Sequence, residues 1–228
     1  MPETKSSLGV PIAIVIAGAL IAGAVLYTRS SPSTGVTPGE PQEITLRAVS
    51  SSEHILGNPG AKVVIVEYSD PECPFCKSFH GTMKRIMSEY GGNGSVAWVY
   101  RHFPIPELHA KAQAEAEAME CAAEIGGNTA FWKFADRLYE ITPSNDGLDA
   151  AELPKIAAFA GLDAAAFAKC TAERRTKAKV DADHADGVAA GARGTPYSVI
   201  LTKNGDKVPL EGALPYDDMR QIIETLVK

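Results

Sequence analysis

Glu67-Tyr68-Ser69-Asp70-Pro71-Glu72-Cys73-Pro74-Phe75-Cys76-Lys77-Ser78-Phe79 is the stretch on which the reading of this 228-residue chain turns. Before it, the β-branched run Val63-Val64-Ile65-Val66 predicts a buried strand; after it, Phe75, Phe79, Met83, Ile86 and Tyr90 recur with a helical period. Two cysteines therefore stand where a strand turns into a helix. The first N–H groups of a helix have no intrahelical partner and carry the positive end of its dipole, so a thiolate at Cys73 is stabilised there. Pro74 at the helix start lacks an N–H that would otherwise be orphaned. The two-residue spacer brings Cys76 round one turn, close enough to form a disulfide. Cys73, the more acidic thiol and better leaving group, is expected to be the attacked sulfur and Cys76 its buried partner.

A Cys-x-x-Cys pair alone also fits half of a structural zinc site, which needs two more thiolates or imidazoles. His80, His102 and His109 are the candidates, and no second Cys-x-x-Cys exists. Redox use is the preferred reading, with no metal and no cofactor expected.

Three features in order carry a resemblance: Cys73-Pro74-Phe75-Cys76 after a strand, Glu67 at the end of that strand, and Gly194-Thr195-Pro196-Tyr197 before a late strand. Over roughly residues 43 to 228 the chain resembles the thioredoxin-fold disulfide oxidoreductases, in particular their DsbA-like branch. The resemblance implies an α/β, thioredoxin-like fold with a helical insertion. It also implies a cis peptide before Pro196 opposite the cysteines, with Thr195 exposing its backbone to an extended substrate. Glu67 lies six residues before Cys73, where such proteins carry an acidic residue beneath the disulfide; burial would raise its pKa and let it exchange a proton with Cys76. A surface carboxylate at a strand end is the alternative for Glu67. Pro74 and Phe75 are expected on the substrate-contacting side. One departure stands out: the best-known periplasmic oxidases carry Pro-His between the cysteines and Val before the cis-proline, against Pro-Phe and Thr here. A less oxidising couple is expected for lack of that histidine.

Composition agrees with one globular domain plus an accessory segment: 45% of residues are hydrophobic and 22% charged. The net charge of -6, with no basic run, argues against a nucleic-acid partner. Residues 1–7 read as a short cytoplasmic head. Residues 8–28 read as a single transmembrane anchor, because Leu8 to Tyr27 is uncharged and as a helix would span about 30 Å. A cleaved signal peptide, ending near Ala22-Gly23-Ala24 and leaving a secreted protein, is the rival. Residues 29–42, rich in Ser, Thr, Pro and Gly, read as a flexible linker. The domain over 43–228 is then extracytoplasmic, in the cell envelope, where disulfides persist. That setting predicts a structural disulfide between Cys121 and Cys170 in the insertion; two free thiols are the alternative.

Within the domain, strands are expected over Ile44–Val49, Lys62–Tyr68, Ser95–Phe103, Tyr197–Leu201 and Lys207–Leu210, the last two joined by an Asn204-Gly205 hairpin turn. A helix from Cys73 to about Tyr90 makes a right-handed strand-helix-strand unit. The insertion, about 107–193, reads as helices over His109–Ile125, Thr129–Ile141, Ala151–Ala160, Ala164–Lys179 and a short piece near Ala182–Ala190. A helix over Tyr216–Val227 closes the domain. His54, His102, His109 and His184 read as surface or capping residues, His80 as unpartnered, and Phe131, Trp132, Phe134 and Leu138 as helix packing.

Three functions follow. The first is an oxidase passing disulfides to cysteine-containing exported proteins and recycled by a membrane redox partner. The second is a reductase or isomerase, since exchange is reversible and compartment poise sets its direction. The third is a tethered peptide-binding or chaperone module using the same groove.

Overall fold

The computed structural model describes residues 44–227. The head, anchor and linker expected over 1–7, 8–28 and 29–42 lie outside the described residues, among which no helix is long and apolar enough to cross a membrane.

The elements in order are β1 (His54–Gly57), β2 (Val63–Ser69), α1 (Pro74–Ile86) continued by a wider π turn over Met87–Gly91, and β3 (Val96–His102). Then come α2 (Ala112–Ile141), α3 (Glu152–Ala160), α4 (Ala164–Ala172), α5 (Lys177–Ala189), β4 (Tyr197–Thr202), β5 (Lys207–Glu211) and α6 (Tyr216–Leu226). The five strands lie in the order β1-β3-β2-β4-β5. Only β2 and β3 are parallel; the other three pairings are antiparallel. A parallel pair needs a crossover, and α1 supplies it. Among the described residues β5 is an edge strand, where Pro209 can lack its N–H without breaking a ladder on the open side.

Alternation along β2 divides the core. Val63 and Ile65 join α1, the insertion and α6 in the larger cluster, with Phe79, Met83, Trp98, Phe131, Phe134 and Ile223. Val66 and Tyr68 face the other side, against Phe103, Tyr197 and Val199. Glu67 follows Ile65 by two residues, so the strand period aims this carboxylate at the α1 side, into the larger cluster. On the opposite face α5 comes unusually close: a Cβ at Gly187 would lie 2.5 Å from the Phe103 ring.

Two expectations are corrected. Ile44–Val49 is irregular, and the strand beside β3 is formed by His54–Gly57 instead. The helix expected over Ala164–Lys179 ends at Ala172, and α5 is a full helix from Lys177. Arg174 between them has φ 48°, a conformation rare outside glycine. It is held by two bonds from its guanidinium to Glu117, 2.9 and 2.6 Å. The two helices expected over His109–Ile125 and Thr129–Ile141 run together as α2, and the break between them survives as a kink where Gly127 has φ 71° and ψ -169°.

Candidate active site

Cys73 caps the start of α1 with an extended backbone (φ -77°, ψ 123°) and Pro74 follows in the first turn. Both cysteines are free thiols and buried, Cys76 completely. The Cys73 sulfur lies 3.5 Å from the Thr195 carbonyl oxygen, and the Thr195–Pro196 peptide is cis. The Asp70 backbone N–H donates to the Cys76 sulfur at 3.4 Å. Phe75, between the cysteines, is 65% exposed. A groove of about 380 Å³ borders this point, lined by Arg193, Thr195, Pro196, Tyr197 and Glu211 among others.

The two thiols differ sharply in acidity. The hydrogen bond from Cys76 lowers the Cys73 pKa, burial opposes it, and the backbone N–H groups of Cys76 and Phe75 help bring it down to about 6. Burial, followed by the neighbouring Cys73, pushes Cys76 well above the ordinary thiol range. One thiolate is therefore presented and the other withheld, the asymmetry that thiol–disulfide exchange requires.

Glu67 is fully buried beneath the pair. Burial pushes its pKa up to about 7, against the hydrogen bonds from Ser69 and Trp98. Trp98 Nε1–H donates to Oε2 at 2.8 Å, whereas Oε1 has no partner. Because the folded pKa lies above the unfolded one, stability is full below about pH 4.5 and is lost as pH rises through about 7. Glu67→Gln should remove this loss and raise stability at pH 8 by about 1 to 3 kcal/mol, with little change at pH 4.5. Urea unfolding of both proteins at the two pH values checks it; equal differences at both would exclude a buried, titrating carboxyl.

The loop before Cys73 is tied to the insertion by acidic groups. Asp70, fully buried, accepts from the Glu72 N–H on Oδ1 (2.8 Å) and from the Ile105 N–H on Oδ2 (2.9 Å), and Oδ2 lies 3.0 Å from His109 Nδ1. Glu72 Oε2 accepts the Asp146 N–H at 2.7 Å. Glu115, in the first turn of α2, is pushed up to about 9, by burial first and then by its hydrogen bond to Glu72. A proton kept on Glu115 relieves the repulsion from the neighbouring acidic groups.

Of the histidines expected as surface or capping residues, His54, His102 and His109 are corrected, since all three are buried, as is His80, while His184 is half-buried. The signal that places them is long-range pairing, invisible to local periodicity. His80 is not unpartnered, since its Nε2 lies 2.8 Å from Asp136 Oδ1. His54 and His102 converge on Glu120 Oε1 at 2.7 and 3.0 Å. Burial disfavours the Glu120 carboxylate, but the bonds from His102 and His54 hold its pKa well below the usual range. The three residues have the donor types of a metal site. The Lys179 ammonium, however, already stands 3.5 Å from the same oxygen, and a cation there opposes a second one. A cavity of about 420 Å³ adjoins this cluster, lined by His54, Glu120 and Lys179 but by neither Cys73 nor Cys76.

Cys121 and Cys170 are joined by a disulfide with their Cα atoms 5.9 Å apart, pinning α4 to α2. Phe131, Trp132, Phe134 and Leu138 are buried in the larger core cluster.

Comparison with known proteins agrees with this geometry. Residues 50–225 match the family described as Thioredoxin. The fold is similar to that of DsbA2 from Pseudomonas aeruginosa, with a TM-score of 0.64, 28% identity, and coverage of 79% of this chain and 97% of that one. It is also similar to oxidised BdbD from Bacillus subtilis, with a TM-score of 0.66, 20% identity, and coverage of 77% and 93%. Among curated sequences, the Na(+)/H(+) antiporter NhaA 3 of Salinispora tropica is 36% identical over 146 residues, which are 63% of this chain and 21% of the relative. NhaA 1 of a Mycobacterium species is 34% identical over 156 residues, 66% of this chain and 24% of the relative. The chain thus spans about a fifth to a quarter of the length of these curated relatives. From the family match over most of its length, the chain belongs to the thioredoxin family.

Proposed function

We propose that this chain is a DsbA-like thiol–disulfide oxidoreductase that works in the oxidising direction on cysteine-containing exported proteins, from a domain tethered outside the cytoplasm by the segment 8–28. The observation that carries this reading is the asymmetry of the cysteines: Cys73 pulled down to about 6 and Cys76 raised. Stabilising one thiolate of the reduced pair makes the disulfide form the stronger oxidant. The buried Cys121–Cys170 bond favours the same compartment, since structural disulfides persist where the environment is oxidising.

A substrate thiolate attacks the Cys73 sulfur of the Cys73–Cys76 disulfide. That bond breaks and Cys76 leaves, with the Glu67 carboxyl beneath it as the proton source. A second substrate thiolate attacks the substrate sulfur of the mixed disulfide and expels Cys73 as a thiolate. The substrate has lost two electrons and the pair has gained them; a membrane-bound electron acceptor then restores the disulfide. The groove beside Pro196 takes an extended substrate segment, with Arg193 and Glu211 at its walls, and the exposed Pro74 and Phe75 offer an apolar contact.

Equilibration of the purified protein with glutathione tests the direction. A potential above about -180 mV is expected, between protein disulfide isomerase and the strongest oxidants. A value near -270 mV, that of thioredoxin, would overturn the oxidase reading in favour of a reductase.

A further inference from the structure

Away from the exchanging pair, folding brings His54, His102 and Glu120 together from three elements. His54 opens β1 and stands opposite Tyr100 of β3; His102, two residues after Tyr100, shares that face of the sheet, and the two imidazoles lie edge to face with centroids 6.4 Å apart. Glu120 approaches them from α2, its Oε1 2.7 Å from His54 Nε2 and 3.0 Å from His102 Nε2. All three residues are more than nine-tenths buried. Packing, more than hydrogen bonding, aims the rings. His54 is stacked on Phe131 at 3.6 Å between centroids, and His102 lies edge-on to Tyr100 and Phe131 at 5.2 and 5.9 Å. Neither ring nitrogen of the fully buried His102 makes a well-aligned hydrogen bond among the described residues, although Nε2 stands so close to the carboxylate. Unmet polar capacity of this kind costs free energy unless another group satisfies it.

Two imidazole nitrogens and one carboxylate oxygen are the donor set of a three-ligand zinc site whose fourth position is left to water. The three donor atoms lie within 4.8 Å of one another. An ion at about 2.0 to 2.1 Å from each asks for separations of about 3.3 Å in a tetrahedral arrangement, so the carboxylate has to draw back from the rings by only about half an ångström. Access for water exists: His54 and Glu120 line the cavity of about 420 Å³, together with Ser51, Ser52 and Asn128. Nitrogen donors select against calcium and magnesium, which take oxygen ligands. The obstacle is Lys179, 3.5 Å from Glu120 Oε1. Its shorter bond, 2.5 Å, runs to Asp183 Oδ2, which neutralises the ammonium where it stands. The half-buried Lys179 side chain can therefore move off Glu120 while keeping Asp183 as its partner.

We propose that His54, His102 and Glu120 bind one divalent transition-metal ion of the zinc class, which ties β1 and β3 to α2, with Lys179 as the competing cation that moderates the affinity. The expectation of no metal drawn from the sequence concerned ligands beside Cys73 and Cys76; these three donors meet only on folding. The site stands apart from the exchange chemistry and does not depend on its direction.

Calorimetric titration with zinc chloride tests this on the full chain, carrying no added histidine tag and with Cys73–Cys76 held as the disulfide so that those thiols cannot take the metal. One equivalent of zinc is expected to bind, and magnesium should not compete. X-ray absorption at the zinc edge should show nitrogen and oxygen neighbours at about 2.0 to 2.1 Å and no sulfur at about 2.3 Å. His102→Gln should weaken binding by about 100-fold or more, the upper end of what loss of an outer-shell partner alone costs. Lys179→Met, which keeps all three ligands and removes the competing charge, should tighten it by about 10-fold. Should His102→Gln fail to fold, the Lys179→Met comparison decides. A wild-type chain with no saturable zinc binding, a sulfur neighbour at the metal, or an affinity that Lys179→Met leaves unchanged would overturn the proposal.

Discussion

Cys73→Ser lowers the rate of thiol–disulfide exchange with a reduced peptide by at least about 10³-fold, because a hydroxyl can neither form the mixed disulfide nor be regenerated as a leaving thiolate. Cys76→Ser gives a different result. It keeps the acidic nucleophile but removes the resolving sulfur, so mixed disulfides through Cys73 accumulate and are visible on nonreducing gels. With Cys73 near 6, alkylation of the reduced protein should reach half its maximal rate at about pH 6, where an ordinary thiol would need about pH 8.5. The same shift has a thermodynamic consequence of defined sign. A depressed thiol pKa stabilises the folded reduced protein fully above the unfolded value, and that stabilisation is lost as pH falls through the folded value of about 6. The melting temperature of the reduced form relative to the disulfide form should therefore be higher at pH 8.5 than at pH 5. An alkylation midpoint above pH 8, or a Cys73→Ser protein with full exchange activity, would remove the basis of the proposed mechanism.

Opening the Cys121–Cys170 bridge by the double substitution Cys121→Ala/Cys170→Ala costs about 2 to 4 kcal/mol. The bond closes a loop with a sequence separation of 49, for which the chain-entropy argument gives about 4 kcal/mol as the upper figure. In a domain of this size the loss corresponds to roughly 5 to 15 °C in melting temperature. The effect should be confined to stability, because the bridge joins α2 to α4 and neither cysteine belongs to the exchanging pair. Calorimetry of wild type and double variant, both with Cys73–Cys76 reduced, gives the answer. A change below about 2 °C would mean that the insertion is held by packing alone, by Phe134 against Phe167 and by the Glu117–Arg174 pair.

Much of the fold is legible wherever local rules operate. The strand period of Val63 to Glu67, Pro74 at a helix start, and the Asn204-Gly205 turn each state a conformation within a few residues, and each element forms where the pattern puts it. The failures have a common cause. The strand expected at Ile44–Val49 is absent because strand formation depends on a partner, and His54–Gly57 takes the register on β3. No Gly or Pro marks the end of α4, since it is stopped at Arg174 by an ion pair to Glu117, 57 residues away. The helix ends by tertiary attraction.

The site divides in the same way. Helix-start electrostatics follow from two cysteines, a proline and the turn of a helix, so the chemical character of Cys73 can be read from the chain alone. Ile105 on Asp70, Asp146 on Glu72 and His54 on Glu120 come instead from segments 35 to 74 residues distant, and a histidine carries no periodicity that distinguishes a solvated ring from one buried against a carboxylate. What the sequence by itself determined is the reactive pair and the strand-helix-strand frame that presents it, because these rest on backbone geometry over a few consecutive residues. What only the tertiary structure decided is the charge environment of that pair, because burial and opposing charges are properties of residues brought together by folding.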